Sequence, residues 1–197
     1  GEPILTVENL SVIEDKGVSI VKDVSFSVRA GEVLALAGVS GNGQIEIVEA
    51  IYGQRKAASG SIRLRGREIT GDSIRQRIEG GISYVPEDRQ RTGLVVDMNL
   101  AENLALKTYG KAPFSKRRIL NREAFRQHAR VLIEAYDIRS GSGEETLVHS
   151  MSGGNQQKAI VAREIDLENQ LIIFVQPTRG LDIAARAHIH RQIMEER

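Results

Sequence analysis

The sequence predicts an α/β fold, and three features along the chain indicate it. Short runs rich in β-branched residues come first, which is typical of an antiparallel layer of strands. Residues 33–37 then form a continuous apolar run with the length of a strand buried on both faces, followed by a glycine loop and helical periodicity. Residues 90–165 are mostly helical in pattern. We therefore expect an N-terminal antiparallel β layer, a mixed or parallel core sheet and an inserted helical subdomain.

The composition is that of a globular chain with one large domain, or a domain and a subdomain, since 41% of its 197 residues are apolar. With 27 basic and 26 acidic side chains the net charge is only +1, so electrostatics gives no argument for a nucleic-acid partner. The absence of cysteine excludes disulfides, thiolate metal sites and a cysteine nucleophile. The longest apolar runs, residues 33–39 and 171–175, are far shorter than the roughly 20 residues that cross a bilayer.

The remaining elements follow from periodicity and turn residues. Strands are expected at residues 5–10, 19–21, 24–28, 60–64, 82–85 and 171–175. Helices are expected after the glycine loop, at residues 73–78, after the N-cap residue Asn121, and over residues 183–197. The chain opens without a methionine and its last helix has no C-terminal cap, so we expect a fragment of a longer protein.

The loop after the apolar run has the spacing of a phosphate-binding loop, in which two glycines bracket four residues before a lysine and a serine or threonine. The lysine position holds Gln44, which brings no charge, and the hydroxyl position holds Ile45, which cannot ligate magnesium. Its backbone amides still offer a cradle for phosphate. Two interpretations remain open, a weakened nucleotide site and a strand-to-helix turn without a ligand. The candidate nucleotide-binding residues are Gly38, Ser40, Gly41, Asn42, Gly43, Gln44 and Ile45.

A second glycine-rich loop, Ser152-Gly153-Gly154, runs into the helical pattern of residues 159–163. A serine hydroxyl and bare backbone amides at a helix N-terminus form a site that receives an anion, because the first N–H groups lack partners and the helix dipole is positive there. The alternative is a serine-capped helix that begins with a glycine turn and binds nothing.

These segments occur together with two polar turns, and their order resembles that of the ATP-binding cassette (ABC) ATPases over essentially the whole chain. The glycine loop resembles Walker A, residues 86–89 resemble the hinge, residues 152–154 the signature loop, and residues 176–182 the end of Walker B with the D-loop. The acidic hinge and the residues after the signature loop look most like the C-terminal cassette of a tandem bacterial sugar or nucleoside importer ATPase.

The resemblance implies a P-loop NTPase fold. Residues 1–89 and 166–197 are then expected to form the ATPase core lobe with the N-terminal β layer, and residues 90–165 the helical subdomain that carries the signature loop. It also implies that this chain's own site is degenerate, because Val175 replaces the magnesium-coordinating aspartate of Walker B and Gln176 replaces the catalytic glutamate. We therefore expect no metal at this chain's own site.

For catalysis the resemblance implies a role in trans. Ser152, Gly153, Gly154 and the D-loop residue Asp182 are expected to face ATP and Mg²⁺ held by a second cassette, and Glu87 stands at the position of the hinge glutamine. ATP or ADP is expected to bind weakly or not at all at this chain's own loop. The domain alone is therefore expected to be nearly inactive.

The resemblance also implies partners and a location. The partners are a second ABC ATPase cassette, in the same full-length chain or its dimer mate, transmembrane permease subunits and, indirectly, a solute-binding protein, but no nucleic acid. The implied function is to couple ATP binding and hydrolysis to import of a sugar or nucleoside at the cytoplasmic face of the cell membrane. Two alternatives remain open, a non-catalytic regulatory nucleotide-binding module and a soluble ABC protein that takes no part in transport.

Overall fold

A computed structural model describes residues 2–14, 17–167 and 169–196. This part of the chain forms two compact units. The first contains the described residues up to Tyr84 together with residues 169–173, and the second contains Val85–Leu167 and Phe174–Glu196.

The first unit is built on a four-stranded antiparallel sheet. Strand β1 (Pro3–Ile13) lies between β2 (Ser19–Arg29) and β3 (Ser59–Leu64), and the short β4 (Arg67–Glu68) pairs with β3. The expected N-terminal antiparallel layer is confirmed, and its first two strands are longer than the β-branched runs that predicted them. The buried side chains of β1 are those of Leu5, Val7, Leu10 and Val12.

Two helices and a strand follow in the first unit. Helix α1 (Gln44–Tyr52) comes directly after the glycine loop, as its periodicity predicts. Helix α2 (Ile74–Glu79) is capped by Ser73, whose hydroxyl accepts a hydrogen bond from the N–H of Gln76. Strand β5 (Ile82–Val85) is buried along its whole length. The predicted short helix and strand of this region are confirmed.

Arg77 fastens the end of α1. Its buried Nη1 donates to the carbonyl oxygens of Ala50 and Ile51 at 2.7 and 2.6 Å. The last carbonyls of a helix have no partner within it and lie at the negative end of its dipole, so a cation satisfies both needs. Beside this contact Tyr52 stacks on Tyr84 with ring centroids 4.7 Å apart, and burial raises the pKa of Tyr84 to about 12.

The expected buried strand at residues 33–37 is wrong. These residues have no regular secondary structure, and Val33, Leu34 and Leu36 are 55%, 41% and 40% exposed. A strand needs neighbouring strands to take up its N–H and C=O groups. No strand among the described residues pairs with this run. An apolar run indicates a preference for burial, but it does not specify a neighbour.

The short strands β6 (Ser115–Lys116) and β7 (Ile119–Leu120) form an antiparallel hairpin. Strand β8 (Leu171–Phe174) pairs with β5 in a separate two-stranded sheet. The N–H of Leu171 donates to the carbonyl of Gly81 at 3.1 Å, and the N–H of Val175 donates to that of Val85 at 2.9 Å. The paired positions rise together along both strands, so β5 and β8 are parallel. The parallel part of the predicted sheet is therefore present.

Helices dominate the second unit. Helix α3 (Leu100–Leu104) packs against α4 (Arg122–Ala135) and α5 (Gly153–Ile165), and α6 (Ile183–Glu195) packs against α5. The predicted cap of α4 is confirmed, because the Asn121 side chain accepts a hydrogen bond from the first turn of the helix at 3.2 Å. Within the described part of the chain, none of the helices combines the length and apolar character needed to cross a membrane.

Helix α5 runs through the interior of the second unit, and every residue from position 156 to 165 is buried. Glu164 has no exposed surface, and its carboxylate pairs with Lys107 Nζ at 2.5 Å and with Arg163 Nε at 2.9 Å. A buried charge is tolerated when it is paired, and removal of one partner costs about 3–5 kcal/mol. This cluster therefore anchors the helix whose N-terminus carries the signature loop.

Candidate functional site

The predicted nucleotide-binding residues lie together in the first unit, in the loop ahead of α1 and, for Gln44 and Ile45, in the first turn of that helix. Gly41 and Gly43 have left-handed backbone angles, with φ of +89° and +93°. A Cβ on Gly43 would lie 3.0 Å from Val21 Cγ2 and 3.3 Å from the carbonyl oxygen of Ile20. Both conformation and space therefore require glycine at this position. Ser40 and Asn42 are exposed on this loop.

The Gln44 side chain folds back over this loop. Its Nε2 donates to the carbonyl oxygen of Val39 at 3.4 Å, and a Cβ on Gly38 would overlap the same amide. The amide offers hydrogen bonds without a charge, and the half-buried Ile45 beside it has no oxygen for a metal ion. The side chains at positions 44 and 45 therefore supply neither a cation for phosphate nor an oxygen ligand for Mg²⁺.

The polar turn after β8 is equally poor in metal ligands. Val175 is 8% exposed, and its N–H continues the ladder with Val85. Gln176 is exposed at a left-handed φ of +44°. Among the residues that the structure describes, no three histidine, cysteine, aspartate or glutamate side chains come together in an arrangement that holds a metal ion.

The signature loop has the geometry that its sequence predicts. Ser152 is the N-cap of α5, and its hydroxyl accepts a hydrogen bond from the N–H of Asn155. Gly153 and Gly154 form the first turn of the helix. Their N–H groups are among those that have no partner within a helix, and they lie at the positive end of its dipole.

Neither glycine is required by the fold. Both lack a left-handed φ, and a Cβ would meet only Arg89 Nη2 at 3.4 Å from Gly153 and Ala185 Cβ at 3.7 Å from Gly154. These are ordinary van der Waals contacts, so alanine would fit at Gly154 without a shift of its neighbours. Both glycines are partly exposed at the start of the helix.

Asn155 was missed as a site residue at the sequence level. Its Nδ2 donates to Ser152 Oγ at 3.0 Å, in addition to the bond from its own N–H at 3.4 Å. Its Oδ1 accepts a hydrogen bond from the N–H of Arg139 at 2.9 Å. The spacing of three residues after an N-cap serine is a local signal that points to this contact.

A groove of about 510 Å³ opens beside the signature loop. Ser152, Asn155 and Arg139 line it, together with His149 and Ser142. The residue that caps α5 is therefore an exposed residue of this groove, which lies within the second unit.

The hinge contacts the turn after β8 at two points. Glu87 forms an ion pair with Arg179, and Arg89 Nη1 donates to the carbonyl oxygen of Arg179 at 2.9 Å. The Arg89 guanidinium also lies beside Gly153 of the signature loop. The hinge, this turn and the signature loop therefore meet around Arg89. The sequence gives no signal for the pairing of Glu87 with Arg179, because the two residues are far apart along the chain.

A π-helical turn (Arg89–Gly93) follows the hinge and packs against α5. The Asp88 carboxylate accepts hydrogen bonds from the N–H groups of Arg91 and Gln90, and these bonds hold its pKa below the ordinary value. At the end of the turn a Cβ on Gly93 would lie 2.6 Å from Ile160 Cδ1. A side chain at position 93 would therefore have to displace Ile160 on α5.

Asp182 is the N-cap of α6. Its carboxylate accepts a hydrogen bond from the N–H of Ala185 at 2.8 Å, which fixes the start of the helix. Since Ala185 lies next to Gly154, the turn that carries Asp182 approaches the signature loop. The second unit thus brings Glu87, residues 152–154 and Asp182 into one region, and the glycine loop belongs to the first unit.

An N-terminal antiparallel sheet, a glycine loop that opens a helix, a parallel strand pair and a signature helix define an ATP-binding cassette. The ABC transporter family model matches residues 21–179, and the chain belongs to this family. A solved nucleotide-free ATP-binding cassette from an ABC transporter has the same fold, with a TM-score of 0.81 at 21% identity over 98% of this chain and 77% of that one. The expected P-loop NTPase fold is therefore confirmed.

Relatives of known role include import proteins. The nucleoside import ATP-binding protein of Lactococcus lactis subsp. cremoris is 48% identical over 98% of this chain. The guanosine import ATP-binding protein of Bacillus subtilis is 43% identical over the whole chain, and the ribose import ATP-binding protein of Clostridium tetani is 36% identical over 99% of it. The chain spans 38%, 38% and 37% of the length of these three proteins.

Proposed function

We propose that this chain is a nucleotide-binding cassette of an ABC importer, and that it acts on ATP held by a second cassette. One contrast carries the proposal. At the start of the signature helix the exposed Ser152 lines a groove and is followed by two glycines, whereas the neutral Gln44 amide folds over the chain's own glycine loop. Both features are accounted for if the signature loop contacts ATP bound to the second cassette while the chain's own glycine loop does not hydrolyse ATP.

The chain's own loop lacks the groups that phosphoryl transfer uses. Gln44 stands where a cation is needed, Ile45 and Val175 offer no oxygen to Mg²⁺, and Gln176 cannot take a proton from water. Loss of a general base alone slows a reaction about 10²–10⁴-fold. We therefore infer that hydrolysis at this loop is close to absent and that ATP or ADP binds there weakly through backbone amides.

The transported solute is proposed to be a nucleoside or a sugar. Relatives named for nucleoside, guanosine and ribose import support this class, because the chain aligns with them over nearly its whole length. The partners are then transmembrane permease subunits, a second cassette and, through the permease, a solute-binding protein. The cassette works at the cytoplasmic face of the membrane.

Substitution of Ser152 tests the action in trans. Ser152→Arg in the full-length protein fills the space before α5 and removes the hydroxyl, so we expect ATP turnover by the purified transport complex to fall at least about 100-fold, the scale on which loss of a transition-state donor acts. Solute uptake by reconstituted vesicles should fall in parallel.

Ser73→Arg is the matched control, because Ser73 is the N-cap of α2 in the other unit. It removes an equivalent cap, worth about 1 kcal/mol, and should leave turnover at the wild-type level. Wild-type turnover and transport in the Ser152→Arg protein would instead favour a regulatory nucleotide-binding module.

A further inference from the structure

We infer that Asn155 is a positioning residue, which turns the hydroxyl proton of Ser152 outward to the phosphate of the ATP held by the second cassette. This inference rests on the proposed action in trans, and it adds a residue that controls the direction of the hydrogen bond. Asn155 supplies both of the hydrogen bonds that Ser152 Oγ accepts, from its N–H at 3.4 Å and from its Nδ2 at 3.0 Å.

The numbers of hydrogen-bond donors and acceptors on a serine hydroxyl determine where its proton can point. The oxygen has two acceptor sites and one O–H donor. Both acceptor sites are taken by Asn155, so the proton is left as the only free hydrogen-bonding element of the group. Among the described residues no oxygen accepts it, and Ser152 is an exposed residue that lines the groove. A donor prepared in this way suits a phosphate oxygen, which only accepts hydrogen bonds.

The backbone of Arg139 determines which way the Asn155 amide points. Its N–H donates to Asn155 Oδ1 at 2.9 Å, so the carbonyl end of the amide is held toward residue 139. The NH₂ end must then face Ser152. With the amide reversed, an N–H would meet an N–H at residue 139, and Oδ1 would take the Ser152 proton for itself.

A second contact holds the segment around Arg139 in place. Lys158 Nζ donates to the backbone carbonyl of Asp137 at 2.6 Å and to its carboxylate at 2.8 Å. Asn155 and Lys158 are three residues apart on α5, so they lie on the same face of the helix. Asp137 has a left-handed φ of 48°, which turns the chain so that both contacts form. The segment that orients the Asn155 amide is therefore attached to α5 a second time, through Lys158.

Steady-state ATP turnover by the complete transport complex tests this role. Asn155→Asp keeps the size and an acceptor for the Arg139 N–H, but its second oxygen takes the Ser152 proton. Asn155→Leu removes both side-chain hydrogen bonds without adding a charge. We expect each variant to lower kcat about tenfold, the worth of one hydrogen bond to a charged group, and to change KM for ATP less than about twofold.

Coupling to Ser152 separates positioning from a structural role. If Asn155 acts through the hydroxyl, Ser152→Ala combined with Asn155→Leu should turn over no more slowly than Ser152→Ala alone. Independent, multiplying losses would overturn the inference, as would wild-type kcat in both single variants. Asn121→Asp adds the same charge at the cap of α4 and should keep wild-type kcat.

The two proposals fail in different ways. Wild-type turnover in Ser152→Ala would overturn the action of the signature loop in trans, and the positioning role with it. Impaired turnover in Ser152→Ala together with normal turnover in both Asn155 variants would overturn the positioning role alone.

Discussion

Gly154 is a residue that its own helix does not need. It has a helical backbone, and a methyl group at this position would meet only Ala185 Cβ at 3.7 Å. Alanine is more stable than glycine within a helix by about 0.5–1 kcal/mol. We therefore expect Gly154→Ala to leave the thermal midpoint of the full-length protein unchanged or slightly raised, and to lower ATP turnover about tenfold by crowding the amides that meet phosphate.

The same substitution at Gly110 is the control for this comparison. A Cβ on Gly110 would meet nothing within 4 Å, and this glycine lies outside the groove. Gly110→Ala should therefore keep both turnover and thermal midpoint. A Gly154→Ala protein with wild-type turnover would show that the glycine is no more than part of a turn.

At the scale of one element, α6 packs against α5 and carries His188, whose surroundings disfavour protonation of its ring. His188 Nε2 is buried and has no hydrogen-bond partner among the described residues. Burial, reinforced by Lys158, lowers the pKa of His188 from its ordinary value of 6.5. Arg191 opposes protonation as well, and the carboxylates of Asp137 and Glu195 favour it without reversing the shift.

The sign of the pH effect follows from that lowered pKa. The opened helix binds a proton more readily than the docked helix, so docking has its full stability above the ordinary pKa and loses it as the pH falls from there toward the lowered pKa. Hydrogen–deuterium exchange of the α6 amides in the full-length protein, corrected for intrinsic rate, should speed up between about pH 7 and about pH 5.5. His188→Asn should abolish most of this change, and the exposed His190→Asn should keep it. Equal protection at both pH values in the wild type would contradict the prediction.

Elements that depend on local signals could be predicted from the sequence. The caps of α4 and α5 are examples, because Asn121 and Ser152 bond to N–H groups three residues ahead. The strand expected at residues 33–37 was wrong because a strand depends on neighbours that lie elsewhere in the chain. The same division holds in the candidate site. The loops were found by spacing, whereas the contact of Glu87 with Arg179 arises only on folding.

At the scale of the whole molecule, the two units carry different parts of the proposed mechanism. The glycine loop lies in the first unit, and the hinge, signature loop and D-loop residues lie in the second. Of the proposed departures from a working site, Gln44 and Ile45 lie in the first unit, whereas Val175 and Gln176 lie in the second unit with the elements that would serve a partner. Substitutions in the glycine loop of the first unit need not disturb α5, the buried helix that carries the signature loop in the second unit.

Restoration of the missing groups tests whether these four departures weaken the chain's own nucleotide site. Gln44→Lys, Ile45→Ser, Val175→Asp and Gln176→Glu together return a cation, two oxygen ligands for Mg²⁺ and a general base. We expect the full-length protein with all four substitutions to gain magnesium-dependent binding of labelled ATP, because each group depends on the charge of the others.

Val175→Asp alone is the informative control. Val175 is 8% exposed, so a carboxylate there without its cation or metal is a poorly compensated buried charge. This variant should lower the thermal midpoint and gain no nucleotide binding. Binding of labelled ATP that is equal in the wild type and the four-fold variant, with and without magnesium, would contradict the proposal that these substitutions weaken the site. Ser152→Arg can also be added to the four-fold variant. If that protein still binds ATP at the restored loop but has no ATP turnover, the signature loop acts independently of the nucleotide held by its own chain.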